Sequence, residues 1–267
     1  SAAMKSVFID KNDTTVFTQT DVYRYSIPTG FTHIDKIEYE YSNDNRITID
    51  DCDTVWSELV DGDVTASIDT TIHKEGSGCL KLVVAAGAIA TDILATQITS
   101  VDLRNCTQVE LWVYSIVSLT AVYLQLLLGN TAACASATES LDIPATTANT
   151  WTRHVIALAN PQSDSAIISV GIKMVTDVGA FTLYVDQIEA SNPATGRFKE
   201  LPYIQWDIVH GSTDYLYITN YGLATAGTNK MLKISGYQAL TAMSADTSTS
   251  EVDPEYIIAF VSGKLMM

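Results

Sequence analysis

The chain has 267 residues, 47% of them hydrophobic and 17% charged, with a formal net charge of −16. That length accommodates one large core or two medium ones, and the hydrophobic content excludes a disordered chain. The charge excludes a surface built to neutralise phosphates, so neither nucleic acid nor an anionic membrane is expected as a partner. Few prolines, abundant Ser and Thr, and no long segment with a 3.6-residue apolar period point to an all-β protein with minor helix.

The first region, residues 5–48, offers short strands at Ser6–Ile9, Thr14–Thr18 and Val22–Ile27. Pro28-Thr29-Gly30 makes a turn, and Ile34–Tyr41 then alternates apolar and charged residues. Ser1-Ala2-Ala3-Met4 reads as an expression scar or an internal start, with no signal-peptide pattern.

The second region, residues 49–190, carries strands at Val64–Asp69, Gly78–Val84, Gln108–Tyr114, Val122–Leu128, Trp151–Leu158, Ile167–Val175 and Phe181–Ile188. Turns rich in Gly, Asn, Asp and Pro separate them, the pattern of a sandwich. Leu111–Leu128 is an 18-residue stretch without a formal charge, near the lower limit for a membrane span. Its polar interruptions and β-branched content favour two strands joined by a turn around Ser115–Thr120. Cys52, Cys79, Cys106 and Cys134 share no local motif and form no CxxC pair, so free, partly buried thiols are expected rather than disulfides or a zinc site.

The third region opens after the linker Ser191–Gly196. It offers strands at Tyr203–Val209, Tyr215–Tyr221 and Lys230–Ser235, then a terminal helix capped by Asp253, with Pro254 in its first turn. Residues 5–48 and 191–267 are each too small to build much core, and together make one β-rich domain interrupted by residues 49–190.

Catalytic readings find little support. His33, His73, His154 and His210 fall at no metal-binding spacing and accompany no nucleophile motif. Gly76-Ser77-Gly78 lacks the Lys-Ser/Thr and helix of a phosphate loop. With 31 acidic residues, carboxylate pairs are guaranteed by number alone and mark no glycosidase. No enzyme is expected.

Five stretches in order carry a resemblance. They are Thr65–Asp69 with Lys74–Leu82, Val101-Asp102-Leu103, Glu110–Tyr114, Thr150–His154, and Leu183–Ile188. Together they resemble a jelly-roll β-sandwich of the carbohydrate-binding-module type, although Gln187 stands where that family tends to have a second acidic residue. The flanking segments Tyr25–Phe31, Leu232–Tyr237 and Asp246–Tyr256 resemble a bacteriophage neck or tail protein. The resemblances imply a non-catalytic virion component displaying a glycan-binding sandwich, with other virion proteins, copies of itself and a cell-surface glycan as partners. The alternative is a secreted, extracellular carbohydrate-binding module accessory to a glycan-degrading enzyme.

Strand alternation puts Glu110, Trp112 and Tyr114 on one face, and Tyr123 and Gln125 on the matching face of the next strand. Trp112, Tyr114, Tyr123 and Gln125 are therefore the candidate glycan-binding residues on a concave sheet, rings for stacking and polar groups for hydroxyls. Core burial is the competing reading for Trp112, and Trp151 reads as a core or half-buried edge residue. The family resemblance also implies a structural calcium ion at Asp51 or Asp53, Glu75 and Asp186, against the reading of unrelated surface carboxylates.

Overall fold

The computed structural model describes residues 8–42 and 46–239. The expected helix from Asp253 lies outside the described residues, as do Ser6 and Val7.

In chain order the strands are β1 (Phe8–Phe17), β2 (Arg24–Ser26), β3 (Phe31–Ser42), β4 (Arg46–Asp50), β5 (Leu59–Val60), β6 (Val64–Asp69) and β7 (Cys79–Val84). Then come β8 (Ile93–Val101), β9 (Gln108–Ser115), β10 (Leu124–Gly129), β11 (Ala137–Asp142), β12 (Thr152–Ala157), β13 (Ile167–Met174) and β14 (Phe181–Ser191). The last are β15 (Arg197–Glu200), β16 (Trp206–Val209), β17 (Tyr215–Ile218) and β18 (Met231–Ala239), with helix α1 (Asn220–Ala226) before β18. The chain divides into two compact units, one of Ser1–Asn43 with Gly196–Met267 and the other of Asp44–Thr195.

The Asp44–Thr195 unit is a jelly-roll sandwich. One antiparallel sheet has the order β11-β10-β13-β8-β5 and the other β12-β9-β14-β7-β6, with β4 also on β14. From β7 to β10 each successive strand changes sheet, so β9 and β10 are not a hairpin, as the sequence suggested, but members of opposite sheets. Their aliphatic faces still meet: Val109, Leu111 and Val113 share one core with Leu124, Leu126 and Leu128. Each fully buried leucine contributes about 2 kcal/mol through removal of its surface from water. Arg46 pairs with Ser191, so the chain enters and leaves this unit on adjacent strands.

The other unit has a sheet of order β1-β18-β3-β15 and a smaller one of order β16-β17-β2. Ile37, Trp206, Leu216, Ile218, Leu232 and Ile234 belong to its core. At Gly236 the β18–β3 register shifts, and a Cβ there would overlap the His33 carbonyl; only glycine allows this approach.

Several expectations need correction. The two strands expected before Thr18 are one continuous β1. The segment expected as a strand from Tyr203 begins as a 3-10 turn, Tyr203–Gln205. The expected strand Tyr215–Tyr221 ends at Ile218, because the Thr219 hydroxyl accepts from the Gly222 N–H (3.0 Å) and caps α1. Strands β4, β5, β8, β11 and β15 were not anticipated. The outer half of β8, Gln97 to Val101, is only partly buried, and β5 has two residues, so neither gives a strong apolar alternation.

Candidate functional site

The outward side of the β12-β9-β14-β7-β6 sheet carries rows of side chains that follow strand register. Ser67 lies opposite Lys81, Lys81 opposite Tyr184, and Tyr184 opposite Tyr114. Trp151, just before β12, extends this row. Its ring centroid is 5.6 Å from that of Tyr114, and the Tyr114 and Tyr184 rings meet edge-on at 5.3 Å. Tyr114 and Trp151 are half-buried and keep part of their faces in solvent. Polar groups border them: the Tyr114 hydroxyl donates to Asn149 Oδ1 (3.3 Å), and Lys81 Nζ lies 5.5 Å from the Tyr184 centroid and 3.5 Å from Asp69 Oδ2.

The next row holds Asp186, Trp112 and Arg153, in register across β14, β9 and β12. This row is covered. The segment 70–78, joining β6 to β7, folds over it and puts Lys74 Nζ 4.8 Å from the Trp112 centroid, while the Arg153 guanidinium lies 5.5 Å from the same centroid. Trp112 is only 2% exposed. It therefore offers no open stacking face, which corrects the expectation that it lines a concave binding surface.

Two carboxylates hold the covering segment. Asp186 Oδ2 accepts the Lys74 and Glu75 backbone N–H groups (2.7 and 3.1 Å), and Asp53 Oδ1 accepts those of Ser77 and Gly78 (both 2.8 Å). Gly76, at φ +63°, makes the turn between these bonds, where a Cβ would collide with the Asp53 carboxylate. Burial pushes Asp186 up to about 6, and its Oδ1 and the Trp112 Nε1 have no hydrogen-bond partner among the described residues.

Beyond Trp112 lies a buried ionic cluster. Arg153 Nη2 pairs with Glu110 Oε2 (2.9 Å) and Glu189 Oε2 (3.5 Å), and Arg46 Nη1 pairs with Glu189 Oε2 (2.9 Å). Ser191 Oγ and Gln108 Nε2 donate to Glu110 Oε1 (2.6 and 2.7 Å), and Gln187 Nε2 donates to Glu189 Oε1 (3.0 Å). Two Arg charges thus balance two Glu charges, the condition under which buried ions are tolerated.

The four expected glycan residues separate. Tyr114 lies on the aromatic row, with Trp112 covered beside it. Gln125 lies on the opposite sheet, where it donates to Asp142 Oδ1 (2.7 Å), and Tyr123 packs against the core at the start of that strand. The jelly-roll crossover from β9 to β10 turns their polar faces in opposite directions. Trp151, expected as a core or half-buried edge residue, is half-buried beside Tyr114; sequence reasoning did not single out Tyr184, although the alternation Leu183-Tyr184-Val185-Asp186 puts it on the same side of its strand as Asp186.

The expected calcium ligands are not gathered into a metal centre. Asp51 Oδ1 accepts the Asp53 N–H (3.1 Å), and Asp53 and Asp186 bind backbone as described. Among the described residues no group of three or more His, Cys, Asp or Glu side chains is placed to hold a metal ion. The four cysteines are free and buried, and burial pushes Cys79 to about 12 and Cys106 to about 11, which makes them inert as thiolates at neutral pH.

No family model and no curated protein matches the chain. Among solved structures it is similar to the family 11 carbohydrate-binding module from Clostridium thermocellum in complex with a β-1,3-1,4-mixed-linked tetrasaccharide. The identity is 11% over 55% of this chain and 96% of that one, with a TM-score of 0.38. It is also similar to an exo-β-agarase (14% identity, 56% of this chain and 25% of that one, TM-score 0.39). A third is the family 30 carbohydrate-binding module of a Clostridium thermocellum cellulosomal cellulase (14% identity, 55% and 98%, TM-score 0.34). Among the described residues no helix is long and apolar enough to cross a membrane.

Proposed function

We propose that the sandwich is a non-catalytic glycan-binding module that meets its ligand outside the cell, and that the row Trp151–Tyr114–Tyr184–Lys81–Ser67 is its binding face. The observation that carries this reading is the register of Ser67, Lys81, Tyr184 and Tyr114 across four neighbouring strands, with Trp151, just before a fifth, packed on Tyr114, so that half-buried rings lie at one end and hydrogen-bonding groups at the other. Four strand spacings span roughly 19 Å, room for several sugar rings in line. Aromatic faces stack on the C–H faces of a pyranose, while Asn149, Lys81, Asp69 and Ser67 are placed to bond hydroxyls. The buried glutamates favour binding over hydrolysis, because Glu110 and Glu189 are paired with Arg153 and Arg46 and do not face a sugar as a free acid–base pair.

A glycan array followed by calorimetry on the best ligand tests this. Trp151→Ala and Tyr114→Ala should each weaken binding, Trp151→Ala by about ten-fold or more, equivalent to about 1.4 kcal/mol, and Tyr184→Ala should weaken it through Tyr114, whose ring the buried Tyr184 ring meets edge-on. An array with no retained glycan, or a ligand indifferent to all three substitutions, overturns the reading.

A further inference from the structure

The discontinuous unit contains a cavity of about 320 Å³ that the glycan reading does not use. Phe31, Trp206 and Ile208 supply apolar wall, with Tyr203 on its lining and 75% exposed. The polar part of the lining is acidic: Asp35, Asp207 and Asp214, with no Lys or Arg among the lining residues. Two histidines complete it. His33 Nε2 lies 3.3 Å from Asp35 Oδ1, and His210 Nδ1 lies 2.8 Å from Asp214 Oδ2.

We propose that this cavity binds an alkylammonium group, the chemistry of a free aliphatic amine or of a lysine side chain. With histidine counted as uncharged, the lining carries three formal negative charges, and the bond from His210 holds Asp214 below the usual carboxylate range. An anion entering this space meets three like charges. A neutral ligand offers them no compensation. An ammonium on an aliphatic stem satisfies both halves of the lining, charge against carboxylates and methylenes against Phe31, Trp206 and Ile208. Phe31 already accepts a cation, since Lys11 Nζ lies 5.3 Å from its ring centroid. Even with Lys11 counted, the surroundings stay negative. The space is ample for a five-carbon chain.

Titration of the full ¹⁵N-labelled chain with 1,5-diaminopentane at neutral pH and low salt tests this, read at the Trp206 indole N–H and the Phe31 and Thr32 amides. Saturable shifts are expected with the diamine and not with pentanoate, and 1-pentanol and glucose should bind more weakly. Asp207→Asn keeps the acceptor for the Ile208 N–H, and Asp214→Asn keeps the acceptor for the Gly211 N–H while its NH2 can donate to His210 Nδ1, so the fold is retained, and each should weaken the diamine about three-fold, as loss of one solvent-screened charge does. Nα-acetyl-lysinamide distinguishes the sources: affinity equal to the diamine's indicates a protein-borne lysine, and rejection indicates a free amine. Equal saturation by pentanoate, pentanol or glucose, or indifference to both Asn variants, overturns the proposal.

Discussion

Arg153 lies directly opposite Trp112 across β12 and β9, and its guanidinium both covers the indole and bonds Glu110 and Glu189. One side chain thus closes over Trp112 and, together with Arg46, neutralises the acidic pair beneath it. Arg153→Met should lower the unfolding free energy by about 3–5 kcal/mol, because Glu110 keeps its burial and loses its counter-charge. Pairing it with Glu110→Gln should recover part of the loss. Urea denaturation of the two single variants and the double variant gives the coupling, and strictly additive losses would show that the pair does not act as a unit.

Trp112 and Trp151 should separate stability from binding. Trp112→Ala empties a buried site and should cost about 3–5 kcal/mol. Trp112→Phe, milder, keeps the fold for a binding measurement and should leave glycan affinity nearly unchanged. Trp151→Ala should do the reverse, with a small change in melting temperature and a large change in affinity. Calorimetry and thermal melts on the same samples check both, and equal binding losses for Trp112→Phe and Trp151→Ala would contradict the covered position of Trp112.

His154 is buried, its Nε2 2.9 Å from Thr146 Oγ1, and burial pushes its imidazole down to about 4. Above pH 6.5 the ring is neutral in both folded and unfolded chains. As pH falls from 6.5 towards 4, the unfolded chain takes up a proton that the folded one refuses. Up to about 3 kcal/mol of stability is lost in that window. His154→Gln removes the titration, so the difference in stability between variant and parent should shift in the variant's favour from pH 7 to pH 4.5. A pH-independent difference in urea midpoints would refute this.

Asp164 behaves oppositely. It is buried, and burial pushes its carboxyl up to about 6. Below about 4 the group is protonated in both states; as pH rises through 6 the folded chain must hold a charge that the unfolded chain holds more easily. Asp164→Asn should therefore stabilise the protein at pH 7.5 by about 1–2 kcal/mol, the shift being discounted for solvent screening, and converge with the parent near pH 4. The Asn amide puts an N–H donor in place of the O–H that a protonated Asp164 offers the neighbouring Glu139. Loss of stability at pH 7.5 would show that the ionised form is needed.

Local chemistry determined much of this protein from the sequence alone. Apolar alternation placed β6, β7, β9, β13 and β14 within a residue or so of their starts, because the pleat repeats every two residues and needs no distant partner to show itself. The same alternation put Glu110, Trp112, Tyr114 and Tyr184 on outward faces. What it could not carry was which strands are neighbours. Tyr123 and Gln125 follow Tyr114 closely in sequence yet belong to the other sheet, because the jelly-roll crossover turns consecutive strands away from each other. Trp112 has the outward parity of a ligand-stacking residue, but a segment some forty residues earlier covers it, held by the Asp53 and Asp186 carboxylates. Parity is a property of one strand and is legible in the chain; exposure depends on what the rest of the chain lays over that face, and only the tertiary structure decides it.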